Sequence, residues 1–259
     1  MSDTELTARA CETYGAYLAL GNERFEAAGA KFVRNRANPT RYDANHVAHV
    51  RAETPREIDA LLQRMETEFE GYTHRALYLD ALTPPQFEAR LVLDGGYRLN
   101  PGLELVLEGE LQASPQPADI RLVQDESQWQ ALYEMEAMWA GTYPPETRAP
   151  LEQNNVNLRI KAPPVRWWLA YFRGVPRAFF NSWEGTNGVG QVEDLFTHPD
   201  YRRRGLATSL IAHCVADARA HGAGPVLIGS DPADTPKHMY AAMGWRPLFV
   251  TKHFVKTPA

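Results

Sequence analysis

The stretch from Gln191 to Gly222 constrains this chain more than any other. It opens with Gln-Val-Glu-Asp-Leu-Phe-Thr, passes through His-Pro-Asp-Tyr and Arg202-Arg203-Arg204-Gly205, and continues as a long amphipathic run. β-Branched and aromatic residues between a Gly-rich turn and a proline predict a strand over its first part. Leu206, Leu210, Ile211, Cys214, Val215 and Ala218 recur at helical spacing and predict one buried helix face, stopping at Gly222. A strand that feeds a glycine-containing turn and then a helix makes an anion site. The first helical N–H groups have no intrahelical partners, and the dipole adds a partial positive charge. Gly205 permits close approach of a phosphate to the backbone, and small Ala207 keeps that approach open. Three adjacent arginines repel one another unless an anion or an acid lies nearby.

The anion is not held by a Walker loop, since Gly-x-x-x-x-Gly-Lys-Ser/Thr is absent. A dinucleotide fingerprint would need Gly where Arg202 stands. Gly185-Thr-Asn-Gly188-Val-Gly190 has the letters of a glycine-rich loop but precedes a strand, not a helix. After Leu-Phe-Thr-His-Pro-Asp-Tyr the chain reads Arg-x-x-Gly-x-Ala. This resembles the pyrophosphate motif of the GNAT superfamily of acyl-CoA-dependent N-acyltransferases, Gln/Arg-x-x-Gly-x-Gly/Ala. Tyr240-Ala-Ala-Met-Gly244-Trp245 resembles the Tyr-x-x-x-Gly-Phe/Trp of the same family, so the likeness spans about 119–259.

Composition is that of an ordinary folded protein: 259 residues, 44% apolar, 23% charged, net charge −5. That balance disfavours nucleic acid as a partner. Cys11 and Cys214 form no Cys-x-x-Cys pair and the histidines no His-Glu-x-x-His, so no disulfide framework and no metal site are expected. No apolar run is long enough to span a bilayer, and the acidic start is unlike a signal, which gives a cytoplasmic expectation.

In chain order, helical periodicity runs from Thr4 to about Ala30 with glycine breaks, and short strands come next at 31–34 and 46–51. Thr54-Pro55-Arg56-Glu57 is a helix start, with strands and a further helix to Leu107. The proline-containing stretch 112–119 reads as linker, which sets domains at 1–113 and 120–259 with 114–119 between them. Beyond it come a helix carrying Leu132, Met135 and Met138, a poor Asn-rich helix at 151–160, hairpins turning at Arg173-Gly174 and Asn187-Gly188, and the central helix. The expected class is mixed α/β: a GNAT-like central mixed sheet flanked by helices, with a smaller α/β N-terminal domain. The strand–helix–Gly-aromatic–strand order of 74–107 echoes that of 226–250, as in tandem GNAT proteins with a degenerate N-terminal copy. No Arg-x-x-Gly-x-Gly/Ala occurs in 1–113, so such a copy would not hold CoA. An unrelated α/β domain is the alternative.

The resemblance implies acetyl-CoA as cosubstrate and an amine of a small molecule or peptide as acceptor. It assigns Arg202, Arg203, Arg204, Gly205, Leu206 and Ala207 to the pyrophosphate, with Thr208 adding its hydroxyl. Phe196 and Thr197 offer backbone groups to the pantetheine arm, provided that the strand Val226–Ser230 splays away. Tyr240 is the candidate acid for the leaving thiolate and Glu193 the candidate base for the ammonium. Adjacent Glu193 and Asp194 point to opposite faces of a strand, so only one faces the acceptor unless a bulge intervenes. Trp139, Tyr143, Trp167, Trp168 and Trp183 fall near the expected cleft, as core or as acceptor wall, while His198 and His238 read as bystanders. A longer acyl donor, a protein lysine as acceptor, and a non-catalytic acyl-CoA-binding or scaffold role remain open, as does a homodimer.

Overall fold

The computed structural model describes residues 1–142 and 150–257. The chain divides into two compact units: Met1–Leu105 with Gly229–Asp234 and Pro247–Ala259, and Val106–Ile228 with Thr235–Arg246.

The first unit begins with α1 (Asp3–Ala19), whose first turn is capped by the Ser2 hydroxyl. The expected helix does not continue to Ala30. Residues 23–34 instead form a hairpin of β1 (Glu23–Ala27) and β2 (Ala30–Arg34). Its two-residue turn, Ala28-Gly29, has φ of 47° and 74°, the doubly positive geometry that matches strand twist. The strand expected over 46–51 is only β3 (His46–Ala48), because His49 turns left-handed at φ 49°. Next come α2 (Pro55–Glu68), β4 (Arg75–Leu79), α3 (Pro85–Asp94), β5 (Arg98–Leu107) and, from the chain's end, β11 (Arg246–Lys256), in the order β1-β2-β3-β4-β11-β5. α2 carries the full capping box, Thr54 and Glu57 satisfying each other's backbone N–H groups. Phe32, Val47, Leu61, Met65, Phe69, Leu77 and Phe87 make the core. Val92, placed on the apolar side of α3 by its chemistry, is exposed.

The second unit holds β6 (Asp119–Leu122), α4 (Glu126–Ala140), α5 (Leu151–Ile160), β7 (Arg166–Phe172), β8 (Val175–Trp183), β9 (Gly190–Thr197), α6 (Leu206–Ala220), β10 (Val226–Ser230) and α7 (Pro236–Ala242). Its strand order is β10-β9-β8-β7-β6, antiparallel except for the parallel β9–β10 pair. Arg173 and Gly174, at φ 52° and 77°, turn the β7–β8 hairpin. All six periodic residues of α6 are buried, each contributing up to about 1.5–3 kcal/mol where the side chain is Leu, Ile or Val. Gly190 allows α6 to approach the sheet: a Cβ there would stand 2.7 Å from that of Ala223 and 3.5 Å from that of Ala218. Met138 is exposed, while Trp129, Leu132 and Met135 form the buried side of α4. α5 sorts its residues only partly by hydrophobicity, burying Leu158 and exposing Glu152 and Arg159. It buries Asn154 and Asn157 and leaves Leu151 and Val156 exposed.

Candidate active site

β9 positions the candidate base. Its ladder with β8 pairs Asn181 with Glu193 but Phe179 with Phe196, so β9 carries one extra residue between them. The resulting bulge is marked by Asp194 at φ 63°. Alternation is broken there, and the Asp194 carboxylate accepts a hydrogen bond from Asn181 Nδ2 at 3.0 Å. Asn181 is also the residue opposite Glu193. The two adjacent acids therefore gather beside one asparagine instead of facing apart. Glu193 is half-buried.

The parallel ladder of β9 with β10 runs from Gly190↔Val226 to Val192↔Ile228 and stops there. Glu193–Thr197 continue β9 beyond the last paired residue. Phe196 is buried between Trp139 and Phe179. The Thr197 hydroxyl is buried without a hydrogen-bond partner, and the Thr197 carbonyl accepts from Arg202 Nε at 3.3 Å.

A 3-10 turn at Pro199–Tyr201 leads into the arginine loop. Arg203 is left-handed at φ 58° and Gly205 at φ 80°. Gly205 is the N-cap of α6, and no side chain caps that end; the first turn holds no acid. Leu206 is buried, while Ala207 and Thr208 are half-buried on the same opening turn. Arg204 lies over the rings of Phe172 and Tyr201. All three arginines are exposed, and among the described residues none pairs with a carboxylate. The repulsion expected from their adjacency is thus not relieved by a carboxylate of the described residues. Tyr240 sits on α7, buried, with its ring 6.0 Å from that of Trp245. Its carbonyl accepts from the N–H groups of Met243 and Trp245, which fixes the turn at Gly244.

Of the described tryptophans, Trp139 and Trp167 both pack on the Phe179 ring, and Trp168 stands apart. Trp167 and Trp183 are core residues, and Trp139 packs on Phe179 and Phe196. Trp168 faces the other side of the sheet, against His213 of α6, because neighbours in a strand alternate. Tyr143 lies outside the described residues. His198 accepts from Asp200 N and caps the 3-10 turn. Burial, with Asp217 adding to it, raises the Cys214 thiol well above its ordinary range, so it offers no thiolate. Sequence reading missed Gln191 and Asn181. Gln191 is two residues before Glu193 on the same side of β9, fully buried, with neither end of its amide hydrogen-bonded. A glutamine inside a strand pattern carries no distinguishing signal by itself.

The sequence model of the acetyltransferase (GNAT) family matches residues 129–245, from α4 to the turn after α7. The second unit carries a GNAT-family acetyltransferase domain. Solved structures share the fold over nearly the whole chain. A GCN5-related N-acetyltransferase from Kribbella flavida matches with TM-score 0.69 and 17% identity, over 98% of this chain and 96% of that one. A functionally unknown conserved protein from Staphylococcus epidermidis matches with TM-score 0.68 and 14% identity, over 92% and 95%. A tandem GNAT protein from the clavulanic acid biosynthesis pathway matches with TM-score 0.62 and 12% identity, over 89% and 79%. No curated protein matches the sequence. The mixed α/β architecture of the GNAT fold is therefore that of this chain, and it extends beyond the segment that the family model covers. No helix of the described residues is long and apolar enough to cross a membrane.

Proposed function

We propose that the GNAT domain transfers an acetyl group from acetyl-CoA to a primary amine of a small molecule or peptide. The observation that carries this reading is the opening of α6: a left-handed Gly205, no side-chain cap, and three exposed arginines without carboxylate partners among the described residues. A pyrophosphate supplies the negative charge that this arrangement lacks, held by N–H groups of 203–207 and the arginines, with the Thr208 hydroxyl beside them. Phe196 and Thr197, past the end of the β9–β10 ladder, offer backbone groups to the pantetheine arm.

The amine nitrogen attacks the thioester carbonyl; the C–N bond forms and the C–S bond breaks. An alkylammonium has a pKa near ~10, so it must first lose a proton, which passes to Glu193 directly or through water. The thiolate leaves with the electron pair of the C–S bond and takes a proton from the Tyr240 hydroxyl. Each such transfer accelerates the reaction by roughly 10²–10⁴-fold. The bulge supports Glu193 in this role, because it brings Asp194 onto the asparagine that lies opposite Glu193. Incubation with acetyl-CoA and a panel of amines, reading free thiol and the mass of the acetylated amine, tests the proposal. Amine-dependent thiol release is expected. Binding of acetyl-CoA without release for any amine would favour the non-catalytic acyl-CoA-binding role instead.

A further inference from the structure

The arginines of the loop before α6 are not the only ones at that end of the second unit. Arg173 turns the β7–β8 hairpin, Arg177 follows on β8, and the chain leaving β9 runs beside it, His198 N donating to the Arg177 carbonyl. Phe172 of β7 and Tyr201 of the 3-10 turn meet edge-on, with ring centres 5.5 Å apart. Three guanidinium groups gather on this pair. Arg177 lies 4.4 Å from the centre of the Tyr201 ring, Arg173 lies 5.5 Å from that of Phe172, and Arg204 lies 5.2 Å from Phe172 and 5.6 Å from Tyr201. A ring satisfies the face of a guanidinium and leaves its N–H edge for an anion. Nε of Arg177 is buried and has no hydrogen-bond partner.

Among the described residues, no carboxylate pairs with Arg173, Arg177 or Arg204, nor with Arg202 or Arg203. A neighbouring arginine shows the contrast: Arg121 lies over Tyr171, and Asp119 binds it at 2.6 Å. The acid closest in sequence is Asp200, 84% exposed and 3.9 Å from His198. The chain as a whole is acidic, with net charge −5, so this patch is a local field of the opposite sign. Five guanidinium charges against one carboxylate exceed what a pyrophosphate linked on both sides neutralises. A phosphate monoester adds roughly −1.5 to −2 charge at neutral pH, together with three acceptor oxygens.

We propose that Arg173, Arg177 and Arg204, seated on Phe172 and Tyr201, form a second anion site beside the pyrophosphate loop, and that it takes a phosphate monoester, the 3′-phosphate on the ribose of CoA. The inference rests on the acyl-CoA reading above. Arg204 joins the two sites, since its backbone belongs to the loop and its guanidinium lies on the rings. The ribose that carries the pyrophosphate at its 5′ oxygen carries the monoester at its 3′ oxygen, so one ligand supplies both anions. Guanidinium N–H edges match a phosphate in pairs, which a lysine in the same place would not do. The patch therefore makes the chain select CoA over its dephosphorylated form.

The test is calorimetric titration of the full chain with CoA and with dephospho-CoA, which differ only in the 3′-phosphate. CoA should bind about tenfold more tightly or better at low salt, and the gap should narrow as salt rises, because Arg173 and Arg204 are exposed. Arg173→Asn suits the left-handed turn position, and Arg177→Gln removes a donor that the fold leaves unpaired, so both changes are compatible with folding. In the double variant the gap should close to about threefold or less, through weaker CoA binding and not through tighter dephospho-CoA binding. Equal affinity of the parent for the two ligands would overturn the second site and leave the pyrophosphate reading in place. A gap of unchanged size in the folded double variant would also overturn it, since the 3′-phosphate would then be held elsewhere. Binding of neither ligand would overturn both readings.

Discussion

Glu104 offers a stability test whose sign follows from its burial. It lies on β5, 3% exposed, and its Oε2 has no hydrogen-bond partner. Burial raises its carboxyl from the ordinary 4.5 to about 8. The folded state therefore holds a proton that the unfolded chain releases above 4.5. Because the folded value is raised, the stabilising contribution is complete below pH 4.5 and is lost as pH rises through 8. The slope is about 1.4 kcal/mol per pH unit between those limits. Glu104→Gln retains shape and cannot ionise. Its stability relative to the parent should grow by roughly 2–3 kcal/mol between pH 5 and pH 7. Urea unfolding of both proteins at the two pH values measures this, and taking the difference cancels every other titrating group. Parallel pH dependences for the two proteins would refute the argument, since they would mean that Glu104 is ionised in the fold.

Three further outcomes are expected. Tyr240→Phe should lower kcat about 10²-fold or more with CoA affinity nearly unchanged; an unaltered rate would remove Tyr240 from proton transfer. Gly205→Glu should abolish CoA binding, since it adds bulk and negative charge at the phosphate site and a side chain at φ 80°; normal affinity in a folded variant would exclude that loop from the site. Burial lowers His46 and His253 to about 4. Both stay neutral in the fold while the unfolded chain protonates near 6.5, so they destabilise the fold as pH falls from 6.5 toward 4. His46→Gln should flatten that limb of the pH–stability curve, and an unchanged limb would assign the acid sensitivity elsewhere.

Where local chemistry and the fold agree, the sequence was legible. Thr54-Pro55-Arg56-Glu57 carries its capping box in its letters, Arg173-Gly174 its hairpin, and the α6 face its period. The hairpin at 23–34 was hidden because its turn uses Ala28, which seldom adopts positive φ, and because Glu-Arg-Phe-Glu-Ala has good helix formers. The signal for α5 was weak for another reason: Asn154 and Asn157 are buried beside Leu158, and Leu151 and Val156 are exposed beside Glu152 and Arg159, so the hydrophobic period is blurred. At the candidate site the arginine loop and the start of α6 were readable as a contiguous motif. The Asp194 bulge was not, since one extra residue in a ladder leaves no trace in composition. His49 and Asp80 meet only through the β3–β4 pairing, far from each other in sequence.

The central claim is that the opening of α6 holds the pyrophosphate of an acyl-CoA. Calorimetric titration of the purified chain with acetyl-CoA and with CoA tests it most directly, with Gly205→Glu run in parallel. The account predicts roughly micromolar, saturable binding of both by the parent and none by the variant. Absence of binding by the folded parent, or equal binding by the variant, would contradict it.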